Sequence, residues 1–221
     1  MGEGLLESVA QGEEKGYSGF AIAPGIVTNN LDVLAEGRVQ VNIPSVPGFD
    51  LWARLSAVGA GSSRGFLWVP QINDEVLVAF NQNDERDAYV LGGLWNTLDR
   101  PPVTIPTDFL IKRVIKTGMV GGVGHEIEFD DALQSIKITT STQQKITIDP
   151  LKIEMTNLAG TVKITLDNTK QSISLEAVAS IELTAAQIKL KAANIDIDGT
   201  VATNVKSSGV CNINGTLVKI N

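Results

Sequence analysis

The chain has 221 residues, 43% of them apolar and 19% charged, and a formal net charge of −7. That length allows one or two domains, and the absence of any run of about 18 apolar residues excludes a helical membrane span. One cysteine, Cys211, excludes an intrachain disulfide framework and a cysteine-cluster metal site.

Composition divides the chain near residue 108. The first 108 residues hold 9 of the 11 aromatic residues and 7 of the 8 prolines, whereas isoleucine rises from 5 before residue 109 to 16 after it. This predicts a globular domain with an aromatic core, followed by something built on β-branched residues. Charge divides there too: 6 Lys+Arg against 14 Asp+Glu before residue 109, and 12 against 11 after it. A net of −8 on the first part opposes binding to a phosphate backbone, so nucleic acid is not an expected partner.

At the start, residues 1–18 carry Glu3, Glu7, Glu13 and Glu14 with no basic stretch ahead of an apolar one. They read as an arm rather than a cleaved leader, which implies synthesis in the cytoplasm. Residues 19–96 read as short strands. Gly37 to Ile43 alternates apolar and polar residues before Pro44 and Pro47, Leu51 to Leu55 repeats the alternation, and Phe66 to Val69 is a short apolar strand. Glu75 to Phe80 alternates again, Asn81 to Asp87 is a solvated polar turn, and Ala88 to Trp95 closes the set. Five or six strands in about 80 residues without a 3.6-residue period predict a small closed barrel, OB-type or SH3-like.

Residues 97–108 form a linker. From 109 to 221 a short unit recurs, two apolar residues separated by a polar one: Ile136 and Ile138, Ile146 and Ile148, Ile153 and Met155, Ile164 and Leu166, Ile173 and Leu175, Ile181 and Leu183, Ile188 and Leu190, Ile195 and Ile197. Each unit is a short strand burying two side chains on one face. Two such side chains contribute roughly 3–6 kcal/mol gross, less than ordering about eight backbone residues costs at about 1–2 kcal/mol each. The units must therefore stack, either as coils of a single-chain β-helix or as sides of a three-chain prism. Periodicity leaves that choice open. Asn157, Gly160, Asn168, Asn194, Gly199, Gly209 and Gly215 fall between units, where corners need them.

Catalytic and cofactor signals are absent. Gly59 to Gly65 leads into Phe66 without the Gly-Lys-Ser/Thr of a phosphate loop and reads as a loop closure; Gly118 to Gly124 reads as a flexible or tightly turned entry to the strand at Glu126. His125 is the only histidine and reads as a surface residue, and Cys211 as a small core or corner residue. No pair of carboxylates is placed across a cleft by its spacing.

The phrases Gly37-Arg38-Val39-Gln40-Val41, Trp52-Ala53-Arg54, Gly59-Ala60-Gly61 through Arg64-Gly65-Phe66, Asp74-Glu75-Val76-Leu77-Val78 and Val90-Leu91-Gly92 with Leu94-Trp95-Asn96 resemble the OB domain of contractile-injection spikes. That family includes the central spike of T4-like phage baseplates, baseplate assembly protein V and the VgrG spike of type VI secretion. The resemblance implies an all-β homotrimer, an OB barrel over 19–96 followed by an intertwined triple-stranded β-helix over 109–221, with the sixteen unit residues above as its core. It implies a structural spike that is assembled into a virion baseplate or injection particle, is seated on a tube hub protein, and touches the target envelope transiently; because the sequence lacks the His-x-His pair by which some such spikes hold iron and has only linker residues where the T4-type spike carries a lysozyme domain, no enzyme, cofactor or metal is expected. It further implies a PAAR-type tip protein docking at Leu217, Val218 and Ile220. The rival reading is a tail-fibre-like β-helix adhesin that binds glycans.

Overall fold

The computed structural model describes residues 22–46, 48–81, 84–118 and 123–220; the arm over 1–18 and most of the Gly118 to Gly124 stretch lie outside them. The first strands are β1 (Ile22–Asn29), β2 (Arg38–Asn42), β3 (Asp50–Leu55), a two-residue pair β4 (Ala60–Gly61) and β5 (Arg64–Gly65), β6 (Glu75–Asn81) and β7 (Asp84–Gly93). One helical turn, α1 (Asp108–Ile111), precedes β8 (Lys112–Lys116), β9 (Glu126–Asp130), β10 (Ser135–Thr139), β11 (Lys145–Ile148), β12 (Lys152–Thr156), β13 (Val162–Asp167) and β14 (Ser172–Ala177).

Five strands close a barrel in the order β1-β2-β3-β7-β6. The closing pair, β3 with β7, is parallel, with Arg54 opposite Tyr89, whereas the other pairs are antiparallel. This Greek-key order is that of the OB barrel and resolves the choice against an SH3-like one.

The barrel begins one strand earlier than the alternation suggests. In β1 the inward residues are Ala23, Gly25 and Val27, too small and too glycine-rich to read as a strand. Gly25 is required by closeness: a Cβ there would lie 3.1 Å from Val78 Cγ2 and 3.2 Å from Ile43 Cδ1. Pro24 faces outward where β1 pairs only with β6, so its missing N–H leaves no ladder bond unmade.

The core corrects the expectation of an aromatic interior. Among the described residues it consists of Val27, Val39, Val41, Ile43, Leu51, Val76, Val78, Val90 and small alanines, with Phe80 the one buried ring. Trp52, Phe66, Trp68 and Trp95 lie on the surface. A five-stranded barrel has a narrow interior that branched aliphatic side chains fill, and the rings are left outside.

Two local expectations also change. Phe66 to Val69 is not a strand but an extended exposed segment, anchored by the Val69 contact with the core. The predicted polar turn over Asn81 to Asp87 is shorter than expected: Asn81 already pairs with Asp84, and Asp87 sits within β7. The Gly59 to Gly65 stretch does close a loop, as the β4–β5 hairpin, with the Phe66 N–H donating to the Gly59 carbonyl at 2.9 Å.

Strands β8 to β14 form one antiparallel meander in which each pairs with its sequence neighbour. It is not a coiled single-chain β-helix. Gly160, expected between units, adopts positive φ at +69°, and the turns also use residues the sequence did not mark: Gln134, Gln143 and Gln171 adopt positive φ. Asn157 builds its turn by accepting from the N–H groups of Thr161 and Val162.

The chain divides into two units, the second beginning at Ala179. Among the described residues of that unit, 179–220, no strand is assigned and no backbone group pairs with another backbone group. The units at Ile181, Ile188 and Ile195, expected to be strands, thus have no strand partner among the described residues.

Candidate functional site

The meander has two unlike faces because its register keeps like residues opposite each other. One row across the sheet reads Phe129, Ile136, Ile148, Ile153, Leu166, Ile173; the next reads Ile115, Ile127, Ile138, Ile146, Met155, Ile164, Leu175. The first row ends on β8 at Arg113; at about 4.8 Å per step its five apolar steps span roughly 24 Å and the six of the second row roughly 29 Å.

None of these side chains is buried. Ile136, Ile138, Ile164 and Leu166 are each 37–38% exposed, Leu175 52% and Ile173 73%. Two contiguous apolar rows on an otherwise polar sheet exceed what an isolated soluble domain leaves open, which marks the face as an interaction surface. The structure thus brings the first ten of the sixteen expected core residues, Ile136 through Leu175, onto one face. The other six, Ile181, Leu183, Ile188, Leu190, Ile195 and Ile197, are exposed at 51–71% within the second unit, and Leu217, Val218 and Ile220 are exposed there at 48–87%.

The opposite face is charged. Lys116 meets Glu126 at 2.7 Å, Lys152 meets Glu154 at 2.9 Å, and Lys112 lies 3.3 Å from Asp108 and 3.5 Å from Glu128. The hydrogen bond that Lys112 donates to Asp108, then the field of Glu128, raises the pKa of the Lys112 ammonium above its ordinary value. These pairs hold long side chains flat along the sheet, and a face so neutralised remains solvated.

A second surface lies on the barrel. Phe66 and Trp68 stack in parallel, 6.1 Å apart, and both are about half exposed. The Arg38 guanidinium sits over the Trp52 ring at 5.8 Å. At the parallel junction Arg54 covers the Tyr89 ring at 4.5 Å, bonds the Tyr89 hydroxyl and meets Asp87 at 3.1 Å. Asn81, then Tyr89 and Arg54, hold the Asp87 carboxyl below the usual range. Sequence reasoning treated Asp87 as part of a solvated turn and so missed this lock between β3 and β7.

The cleft beside β8, β10 and β11 contains one carboxylate, Glu126, and the cleft at the β13–β14 turn contains one, Asp167. His125 is exposed, and its Nδ1 accepts from the Ser141 N–H at 3.3 Å. Cys211, expected in a core or corner, is exposed.

Residues 23–95 match the family described as the type VI secretion system/phage-baseplate injector OB domain. The chain is 27% identical over 155 residues to the actin cross-linking toxin VgrG1 of Vibrio cholerae, covering 66% of this chain and 14% of that protein. It is 29% identical over 115 residues to the type VI secretion system spike protein VgrG3 of V. cholerae, covering 49% of this chain and 11% of that protein. Against the spike protein VgrG2a of Pseudomonas aeruginosa the identity is 26% over 85 residues, covering 38% and 10%. The chain therefore spans about a seventh or less of the length of these relatives.

Proposed function

Because the chain belongs, through its barrel, to the VgrG and phage-baseplate spike family, we propose that it is the central spike of a contractile injection machine. Three copies assemble side by side and wind together, and the assembly works by shape and stiffness rather than by chemistry. The barrels seat the spike on a tube hub, the shaft passes axial force into the target envelope, and a PAAR-type protein caps the end near Leu217, Val218 and Ile220.

One observation carries this reading. The β-patterned unit over 179–220 leaves its backbone N–H and C=O groups without backbone partners among the described residues. Such groups are paired in stable β structure, and three chains supply one another with the missing strands. The open face of the meander follows the same logic: three sheets, each turning Ile136, Ile138 and their rows inward, make a closed prism with the Lys, Glu and Thr face outside. The exposed rings Phe66, Trp68 and Trp52, on a barrel whose residues 19–96 carry 4 Lys+Arg against 8 Asp+Glu, suit a hub surface that is apolar with a basic rim.

Amide hydrogen exchange tests the intertwining. Protection across 181–198 equal to that of β10 and β13 supports it. Exchange there at the rate of an open chain overturns it.

A further inference from the structure

The meander contains seven lysines between residues 112 and 177, six on strands and Lys170 in the β13–β14 turn, and five are neutralised. Lys112, Lys116, Lys152, Lys163 and Lys170 each stand within 4 Å of a carboxylate. Among the described residues Lys137 and Lys145 have no such partner. These two exceptions are not scattered. With Lys116 they line one open cleft of about 210 Å³, together with Thr139 and Gln143.

Lys137 and Lys145 are diagonal neighbours on adjacent strands, since Lys137 is opposite Thr147 and Lys145 opposite Thr139. Diagonal positions lie roughly 7–8 Å apart, close enough for two ammonium groups to repel. The carboxylates nearby are already engaged: Glu126 in the cleft holds Lys116 at 2.7 Å, and Glu128, across from Lys137, holds Lys112 at 3.5 Å. Counting Glu126, the cleft retains two uncompensated positive charges in a chain whose net charge is −7.

We propose that this cleft binds a tetrahedral oxyanion of phosphate size, with Lys137 and Lys145 as its charge partners and the Thr139 hydroxyl and Gln143 amide as neutral donors. Ammonium groups bind phosphate as point charges, and the size of the cleft admits one such group with part of its water. The ligand is a free phosphate or the phosphate of a lipid headgroup. Because the cleft lies on the charged face, its failure to bind would leave the spike reading intact.

The test titrates the full chain with inorganic phosphate at low ionic strength, followed by calorimetry and by the amide shifts of Thr139 and Gln143. Saturable binding is expected, weakened about tenfold in Lys137→Gln/Lys145→Gln and unchanged in Lys152→Gln, whose lysine already has Glu154. Either single variant should weaken it less, which keeps the test usable if the double variant folds poorly. Shifts that never saturate, or an equal loss in Lys152→Gln, would overturn the site. Co-sedimentation with phosphatidylglycerol vesicles but not phosphatidylcholine vesicles, competed by phosphate, assigns the headgroup as ligand. Phosphate binding without co-sedimentation assigns the free ion.

Discussion

Ile138 on β10 stands directly opposite Ile146 on β11, and the pair is continued by Ile127 on one side and Met155 on the other. A row of four apolar side chains at one height, with Ile138 still 37% exposed, is a surface made to be covered.

Covering it is what we expect to drive assembly. Ile138→Asp and Ile164→Asp should each abolish the oligomer, because each puts a charge into a three-chain interior and removes about 1.5–3 kcal/mol of burial per chain. Thr165→Lys, on the opposite face, should leave it unchanged. Analytical ultracentrifugation separates these outcomes, and an oligomer that survives Ile138→Asp would mean that this face is not the contact.

Deleting everything after Asp108 should leave a soluble monomeric barrel, since the cluster around Val39, Val76 and Val78 lies wholly within it. Retained melting cooperativity with loss of self-association is the expected pair of results. Aggregation of the fragment would show that the barrel needs the strands that follow it.

Gly25 and Gly92 offer an internal comparison. Alanine at Gly25 meets Val78, Ile43 and the Asn42 carbonyl at 3.1–3.3 Å, whereas at Gly92 it meets nothing within 4 Å. Gly25→Ala should cost about 1–3 kcal/mol by overpacking, and Gly92→Ala should be neutral or slightly stabilising. Equal melting temperatures for the two would contradict the tight β1–β6 contact.

Asp32 ties together the loop before β2. It accepts from the N–H groups of Leu34, Glu36 and Arg38 and from the Arg38 side chain. The Arg38 hydrogen bond above all holds its carboxyl below the usual range. A depressed folded pKa stabilises the fold above the ordinary carboxylate value of about 3.9 and loses that effect as pH falls through the folded value. Asp32→Asn should therefore melt earlier than the parent at pH 7, with the gap closing below about pH 4. A gap independent of pH would assign the loss to geometry instead of charge.

What the sequence discloses and what it withholds have physical reasons. The rows through Ile136, Ile138 and Ile164 were legible because strand alternation depends only on the pleat, which every strand shares. β1 was not, since its inward residues are Ala23, Gly25 and Val27 and carry little hydrophobic signal. The aromatic residues misled because ring size suggests burial, while the barrel bore takes valines and leaves Trp52 and Trp68 to the surface. The cross-chain question stayed open at Ile181, Ile188 and Ile195 because a period of two specifies a face and never names the partner strand.

The most direct test of the spike account is the mass of the intact chain in solution. Light scattering on the eluting peak should give about three times 23.5 kDa, independent of dilution through the micromolar range. A stable 23.5 kDa monomer would contradict the intertwined shaft and the spike built on it.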